Sequence, residues 1–188
     1  MKIQAVKGTR DILPQDTPQW RAVEQIFHDV CSRFAYEEIR IPTFEYTEVF
    51  QRGVGETTDI VQKEMYTFED RGGRSLTLRP EATAGVVRAF VEHGMGSLAF
   101  PVRLQYRIST FRAENVQSGR YREFFQLGVE AFGSEGPEID AEQILLVQLF
   151  LENLGLTGFK AHVSSIGCKE CRADYHNLLK AYLEPHLD

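Results

Sequence analysis

Two runs of alternating apolar and polar residues, separated by a polar loop, constrain the fold of this chain more than any other stretch. The first run extends from Arg103 to about Arg112, and the second from about Arg122 to Glu130. Strand side chains point to opposite faces in turn, so a period of two predicts β-strands. The connection, Ala113 to Tyr121, has no long apolar run, which indicates a loop. We therefore expect an antiparallel hairpin whose second strand is apolar enough to be central in a sheet.

Charged and aromatic residues collect where this loop meets the two strands. Arg112 and Glu114 share one face, because strand side chains repeat every two residues. Arg120 and Arg122 lie at the other mouth of the loop. Guanidinium groups bind phosphate through paired hydrogen bonds, and an aromatic such as Phe124 stacks on a base. These residues predict a nucleotide site, and the alternative is a set of solvated cross-strand ion pairs.

Two further polar residues, Gln126 and Glu130, share the face of Phe124. A buried strand that carries Gln and Glu must satisfy their polar atoms, and a bound ligand is one way to do so. Their oxygens are hydrogen-bond acceptors, which suits a cationic partner. We therefore predict a pocket for a cationic group beside the nucleotide site.

A third candidate patch begins after Pro80, where a helix is expected from Glu81 to His93. Glu81 and Thr83 lie in its first turn. One interpretation is structural, because an acidic residue there stabilises the helix macrodipole by about 0.3–1 kcal/mol. The other is functional, because a carboxylate beside a hydroxyl suits an ammonium group by charge and by hydrogen bond.

The remaining elements follow from apolar residues at steps of three and four for helices, and from alternation for strands. A tight turn at Asp70 to Gly73 joins two of the strands. In chain order we expect a helix from Pro18 to Phe34, a strand from Glu38 to Ile41, a helix from Glu45 to Arg52, strands at Glu64 to Glu69 and Arg74 to Arg79, a well buried helix from Pro137 to Gly155, a strand from Phe159 to Ser165 and a helix from Cys168 to Leu183.

These elements predict an α+β fold, an antiparallel sheet flanked by helices. The sequence has neither the GxGxxG fingerprint of a doubly wound sheet nor a Walker A motif. A nucleotide must then be held by side chains on strands. The length of 188 residues suits one domain with a sizeable core.

The composition limits the kinds of partner that the chain can bind and the compartment in which it works. The net charge of −6 argues against a strongly basic nucleic-acid binder, although local basic patches remain compatible with it. No stretch has the length of a membrane helix and the N-terminus has no signal-peptide pattern, so we expect no membrane contact and a cytoplasmic protein. Cys168 and Cys171 form one CxxC, which we interpret as a helix start with two half-buried thiols rather than a metal site, because a zinc site normally needs four ligands.

The stretch FRAEN followed by GRYREFFQLGVE resembles the second signature motif of class II aminoacyl-tRNA synthetases, in its histidyl-tRNA synthetase form. Three other stretches are similar to the same family: KGTRDILP at Lys7 to Pro14, the run from Thr58 to Thr83, and SSIGCKECR at Ser164 to Arg172. The helix and strand before Pro42 resemble the first motif, which forms the dimer interface in that family. The resemblance covers nearly the whole chain in order, and it implies the class II catalytic fold.

The resemblance implies an enzyme, histidine–tRNA ligase. Histidine reacts with ATP, accompanied by Mg²⁺, to give histidyl-adenylate and pyrophosphate, and the histidyl group then passes to tRNA(His). A homodimer is implied through the first-motif region. The amphipathic helix of that region has an alternative role, which is packing within its own domain.

The resemblance also implies roles for the residues at the loop mouth. Arg112 looks like the catalytic arginine that bridges the α-phosphate and the histidine carboxylate. Glu114 looks like the acceptor for the adenine amino group, and Phe124 looks like the aromatic that stacks on adenine. Arg120 and Arg122 look like contacts on the phosphate side. All five are thereby expected to bind ATP.

Histidine is implied to bind along the remaining patch, with Arg112 at its carboxylate. Glu81, Ala82, Thr83 and Gln126 resemble the residues around the α-amino group. Glu130 resembles the residue that reads the imidazole, where a carboxylate suits a ring N–H donor.

Two features set this chain apart from the family's usual pattern. Ile108 to Thr110 stands where Gly-Pro-Met is usual, Asn115-Val116 where Arg-Pro is usual, and Phe125 where His is usual. The third motif and the anticodon-binding domain have no counterpart, so we expect residues 1–188 to be one partial catalytic domain with weak or no turnover by itself. The alternative function is a synthetase-like regulatory subunit of ATP phosphoribosyltransferase in histidine biosynthesis.

Overall fold

A computed structural model describes residues 3–54, 63–164 and 169–186. The chain divides into two compact units, Met1–Thr157 and Gly158–Asp188. The first unit contains both sheets and every candidate site residue.

The predicted hairpin is present and forms most of the first sheet. Strands β5 (Val102–Phe111) and β6 (Glu123–Phe132) pair antiparallel over their whole length. The short strand β1 (Glu37–Glu38) pairs parallel with β5, giving the order β1-β5-β6. The prediction that the second hairpin strand is central is therefore wrong, since among the described residues β5 is central. Helices over the sheet leave most of β6 half-buried, and its sequence is apolar for that reason.

A second sheet lies earlier in the chain, with the order β2-β4-β3. Its strands are β2 (Phe44–Tyr46), β3 (Tyr66–Glu69) and β4 (Ser75–Leu78). The helix expected from Glu45 starts later, as α2 (Thr47–Val54), because Phe44–Tyr46 pairs with β4 instead. The turn at residues 70–73 is confirmed, and the Asp70 carboxylate accepts hydrogen bonds from the backbone N–H groups of Gly72 (2.8 Å) and Arg74 (3.0 Å).

Two helices cover one face of the first sheet. Helix α1 (Thr17–Arg33) and helix α4 (Glu138–Asn153) pack together over β5 and β6. Their shared core holds Phe27, Val30, Cys31, Tyr36 and Leu146, with Leu127, Val129 and Ala131 of β6 against it. The apolar stripe of α1 thus packs within its own unit.

A third helix covers the opposite face. Helix α3 (Thr83–Glu92) packs Val86 and Ala89 against Leu104, Tyr106 and Ile108 of β5. Helix α2 then packs on α3 so closely that a Cβ at Gly53 would meet the Cβ of Ala84. The predicted α+β arrangement is present, with the central hairpin between two helical layers.

Three expectations for the later part of the chain are wrong. Helix α4 is not well buried, because Leu146 is 1% exposed while Val147 is 51% exposed. Residues 159–164 form no strand, although their side chains alternate, because no ladder partner lies beside them among the described residues. Helix α5 (Lys169–Leu183) carries Cys171 at its exposed surface rather than half-buried. Cys168 and the rest of residues 165–168 lie outside the described residues.

The strand expected from Glu38 to Ile41 is confined to Glu37–Glu38. Beyond it, the N–H of Ile39 still bonds to the Gln105 carbonyl (2.9 Å), and the pairing ends before Pro42, which has no N–H to donate. Within residues 3–54, 63–164 and 169–186, no helix is long and apolar enough to cross a membrane.

The packing of α4 gives a test of this core. Leu146→Ala should lower the free energy of unfolding by about 2–5 kcal/mol, because it leaves a cavity between α1, α4 and the sheet. The neighbouring Val147→Ala is the matched control and should change it by less than about 0.5 kcal/mol, since Val147 is exposed. Urea unfolding of both variants measures the difference, and equal losses would contradict this placement of α4.

Candidate functional site

The register of the central hairpin gathers the candidate residues on one face. Phe124 lies opposite Thr110, Gln126 opposite Ile108, and Glu130 opposite Leu104. Directly opposite residues project on the same side, so this row shares the face that α3 covers. The structure thereby places Phe124, Gln126 and Glu130 in a single line, as the alternation predicted.

Glu130 lies at the α3 end of this line and is held by two hydroxyl groups. Thr83 Oγ1 donates to its Oε1 at 2.7 Å, and Tyr106 OH donates to the same oxygen at 3.3 Å. Burial raises the pKa of Glu130, the two hydroxyls lower it, and the nearby charge of Glu81 raises it, with a net increase. A carboxylate in this setting attracts a donor, since a bonded N–H stabilises its charged form.

Glu81 lies just before α3 and caps it. Its Oε2 accepts from the Thr83 N–H at 2.6 Å, and its Oε1 accepts from the Ala84 N–H at 2.8 Å. Helix starts leave such N–H groups without intrahelical partners, so the carboxylate has a structural role. Ala82, at the N-cap position, is 1% exposed and belongs to the core beneath the site.

Gln126 lies between the two ends of the line and has an unsatisfied atom. Its Oε1 is buried and has no hydrogen-bond partner among the described residues. Leaving a buried acceptor without a partner costs about 1–3 kcal/mol. Such an atom on the candidate face indicates a place for a ligand donor.

Arg112 follows the end of β5 and is fixed by its surroundings. Its Nε donates to the Pro80 carbonyl at 2.9 Å, and its guanidinium carbon lies 5.1 Å from the centre of the Phe124 ring. Glu114 Oε1 is 3.9 Å from Arg112 Nη1. The side chains of Arg112, Glu114 and Phe124 thus lie close together at the loop mouth, as predicted.

The two other arginines at the loop mouth differ from each other. Arg120 has a 65% exposed side chain, and its Nη1 lies 3.7 Å from Glu114 Oε2. Arg122 is tied into the loop, because its Nε donates to the Glu114 carbonyl at 3.3 Å and its N–H donates to the Gly8 carbonyl at 2.8 Å. Arg122 therefore supports the loop in this structure, whereas Arg120 is accessible to a ligand.

The resulting line has opposite chemical character at its ends. Carboxylates lie at the α3 end, guanidinium groups lie at the loop end, and an unpaired amide oxygen lies between them. A ligand with N–H donors at one end and anionic oxygens at the other matches this order by charge and by hydrogen bonding.

Sequence reasoning missed two residues of this site. Tyr106 is a core residue of β5, and its hydroxyl reaches Glu130. Gly128 lies directly opposite Tyr106 and leaves room for its ring. The available signal was the phenol itself, because a buried tyrosine usually finds a hydrogen-bond partner.

A groove lies beside the site. It has a volume of about 1600 Å³ between α2 and α3, and it meets the site at Glu81 and Thr83. The central hairpin contributes none of its described lining, so the groove does not contain the predicted nucleotide contacts.

The raised pKa of Glu130 predicts a pH-dependent effect on stability. Because burial raises the folded-state pKa above the unfolded value, ionisation of Glu130 reduces stability as the pH rises through these values. Glu130→Gln should therefore stabilise the fold more at pH 8 than at pH 4. Urea unfolding at both pH values measures this, with exposed Glu69→Gln as the control. An equal effect at the two pH values would contradict the account.

Comparisons with known proteins agree on one family. The family model described as histidyl-tRNA synthetase matches residues 8–170. A histidine–tRNA ligase of Acetivibrio thermocellus is 58% identical over 187 residues, which is 100% of this chain and 45% of that protein. One from Listeria monocytogenes is 52% identical over 189 residues, covering 100% of this chain and 44% of that protein. The chain thus spans less than half the length of these curated relatives.

Solved structures share the fold. Apo histidyl-tRNA synthetase of S. aureus superposes with a TM-score of 0.78 at 39% identity, over 98% of this chain and 43% of that one. A Bacillus halodurans structure described as an ATP phosphoribosyltransferase regulatory subunit/histidyl-tRNA synthetase has a TM-score of 0.71 at 30% identity, over 84% of this chain and 39% of that one. The predicted synthetase catalytic fold is confirmed. The chain belongs to the histidyl-tRNA synthetase family.

Proposed function

We propose that this chain is the part of a histidine–tRNA ligase that binds histidine and ATP and forms histidyl-adenylate. The line of polar groups on the central hairpin carries the proposal. Histidine would lie between Glu130 and Gln126, and ATP would lie between Arg112 and the loop. The identity to histidine–tRNA ligases over the whole chain supports the same assignment.

The acceptors at the α3 end suit the two cationic or N–H-bearing groups of histidine. Glu130 would accept from the imidazole ring. The buried Gln126 Oε1, which has no partner among the described residues, would accept from the α-ammonium group. Glu81 and Thr83 lie close enough to Glu130 to add negative potential and hydroxyl contacts there. Ala82 would shape the floor beside them.

The guanidinium end suits two anions that must approach each other. In the first step a histidine carboxylate oxygen forms a bond to the α-phosphorus, and the bond from that phosphorus to the bridging oxygen breaks, releasing pyrophosphate. Arg112 would hold both anions and stabilise charge at phosphorus. Its fixed contact to the Pro80 carbonyl restricts the orientation of the guanidinium before substrates arrive.

The base would be held by the hairpin rather than by a glycine-rich loop. Phe124 offers a ring for stacking, next to Arg112. Glu114 would accept from the adenine amino group, and Arg120 would contact the outer phosphates. Arg122 would contact the phosphate side through its terminal guanidinium N–H groups, while its Nε holds the loop at the Glu114 carbonyl. Mg²⁺ would enter with ATP as part of the substrate and would neutralise charge on the leaving pyrophosphate.

The second step transfers the histidyl group to the terminal ribose of tRNA(His), and AMP leaves. The proposal includes a homodimer formed through the region of α1 and Pro42, and a cytoplasmic location. It also includes residues 1–188 as one partial catalytic domain, which we expect to turn over weakly or not at all alone.

Binding of a sulfamoyl analogue of histidyl-adenylate, with histidine and ATP titrated separately, tests the proposal by calorimetry. We expect the analogue to bind, and Arg112→Ala to weaken it at least about tenfold, because hydrogen bonds to charged groups are worth about 1.5–3 kcal/mol. Exposed Arg33→Ala on α1 is the matched control and should leave the affinity unchanged.

Two other outcomes distinguish the alternatives. If histidine binds while ATP and the adenylate half of the analogue add nothing, the regulatory-subunit function replaces this one. If none of the three ligands binds, the proposed site is wrong for this chain.

A further inference from the structure

Gly128 is the one position in the candidate line that lacks a side chain, and Tyr106 fills the space. The two residues are directly opposite in the hairpin register. A Cβ built on Gly128 would collide with the ring carbons and the hydroxyl oxygen of Tyr106. The Tyr106 ring therefore occupies the space where a side chain at position 128 would lie, between Gln126 and Glu130, and any larger residue there would exclude it.

This placement brings the phenol to Glu130. Tyr106 is 7% exposed, and its OH donates to Glu130 Oε1 at 3.3 Å. Burial raises the pKa of Tyr106, so its hydroxyl keeps its proton throughout the physiological range. Thr83 Oγ1 donates to the same carboxylate oxygen at 2.7 Å. Both donors thus act on Oε1, and Oε2 accepts no hydrogen bond from the described residues.

We propose that Tyr106 is a positioning residue for histidine recognition, which holds Glu130 across the gap at Gly128 so that the free Oε2 faces the imidazole N–H. The proposal rests on the proposed function for the identity of the ligand. Tyr106 itself would not touch the reacting atoms.

The hydroxyl has little reason to be there for packing alone. Tyr106 belongs to a cluster of apolar residues that includes Leu104, Ile108 and Val86. A phenylalanine would fill the same volume without burying a polar group, which costs free energy unless it is hydrogen-bonded. The hydroxyl donates to Glu130 and lies beside the Thr83 side chain, so the bond to Glu130 satisfies the phenol and holds the carboxylate.

The charged and titratable groups around Glu130 determine how its hydrogen bond to Tyr106 affects its ionisation. Glu81, before α3, opposes ionisation of Glu130 by its charge. Tyr106, on β5, and the Thr83 hydroxyl, on α3, favour the ionised form by donating to it. Removing the phenol hydroxyl should therefore raise the pKa of Glu130 and loosen its orientation.

The first measurement is the titration of Glu130 in the ligand-free chain, followed by NMR of ¹³C-labelled glutamate side chains. Glu130→Gln identifies the resonance. We expect Tyr106→Phe to move the Glu130 midpoint to higher pH, and exposed Tyr175→Phe on α5 to leave it unchanged. An unchanged midpoint in Tyr106→Phe would overturn the proposal, and this result does not depend on any ligand.

The second measurement is histidine binding against pH by calorimetry. Tyr106→Phe should weaken binding about tenfold at neutral pH, and the low-pH limb should move upwards, because the carboxylate protonates earlier. Histidine's own titration is common to both proteins and cancels in the comparison. A uniform loss at every pH, or no loss, would mean that the hydroxyl has only a packing role.

Gly128→Ala supplies an independent variant. Its methyl group should displace the Tyr106 ring and raise the Glu130 midpoint in the same direction as Tyr106→Phe. Gly96→Ala is the control, because a Cβ there meets only the Phe90 ring, at an ordinary 3.9 Å. A failure of the wild-type chain to bind histidine would refute the proposed ligand, whereas the ligand-free titration would still decide the role of Tyr106.

Discussion

The ten-pair register between β5 and β6 is the constraint on which the rest of the structure depends. Side chains alternate across a strand, so one register assigns both faces at once. It turns Leu127, Val129 and Ala131 towards α1 and α4, and it turns Gln126 and Glu130 towards α3. A slip of one residue would exchange these sets, placing polar atoms in the core and apolar groups in the site. The core and the candidate site are therefore specified by the same hydrogen-bond ladder.

Charge is distributed so that the loop end of the site keeps its positive character although the chain is acidic overall, with a net charge of −6. Elsewhere on β5 the guanidinium groups have close carboxylate partners. Arg103 Nε lies 2.9 Å from Glu142, and Arg107 Nη2 lies 3.0 Å from Glu38. At the loop mouth the nearest carboxylate, Glu114, is 3.9 Å from Arg112 and 3.7 Å from Arg120. The looser pairing leaves these two arginines better able to exchange a carboxylate for a phosphate.

The sequence predicts this structure best where the determinants are local. The hairpin, its loop and the capped α3 follow from alternation, turn residues and a first-turn acid, all within a few positions. The burial of α4 and the expected strand at residues 159–164 depend on partners distant in sequence, and both predictions are wrong. The backbone bond between Arg122 and Gly8 also escapes sequence pattern, because the two residues are far apart along the chain. The contact of Tyr106 with Glu130 likewise depends on a register that alternation suggests but does not fix.

The two interpretations of Glu81 prove to be parts of one arrangement. Its carboxylate binds the Thr83 and Ala84 N–H groups, which fixes the first turn of α3. The fixed first turn positions the Thr83 hydroxyl, which donates to Glu130. The charge of Glu81 meanwhile adds to the negative potential around Glu130 and opposes its ionisation. A cationic ligand would relieve that opposition, so a residue that stabilises the helix also favours occupation of the site. The structural and the functional role are thus coupled through one side chain, and neither excludes the other.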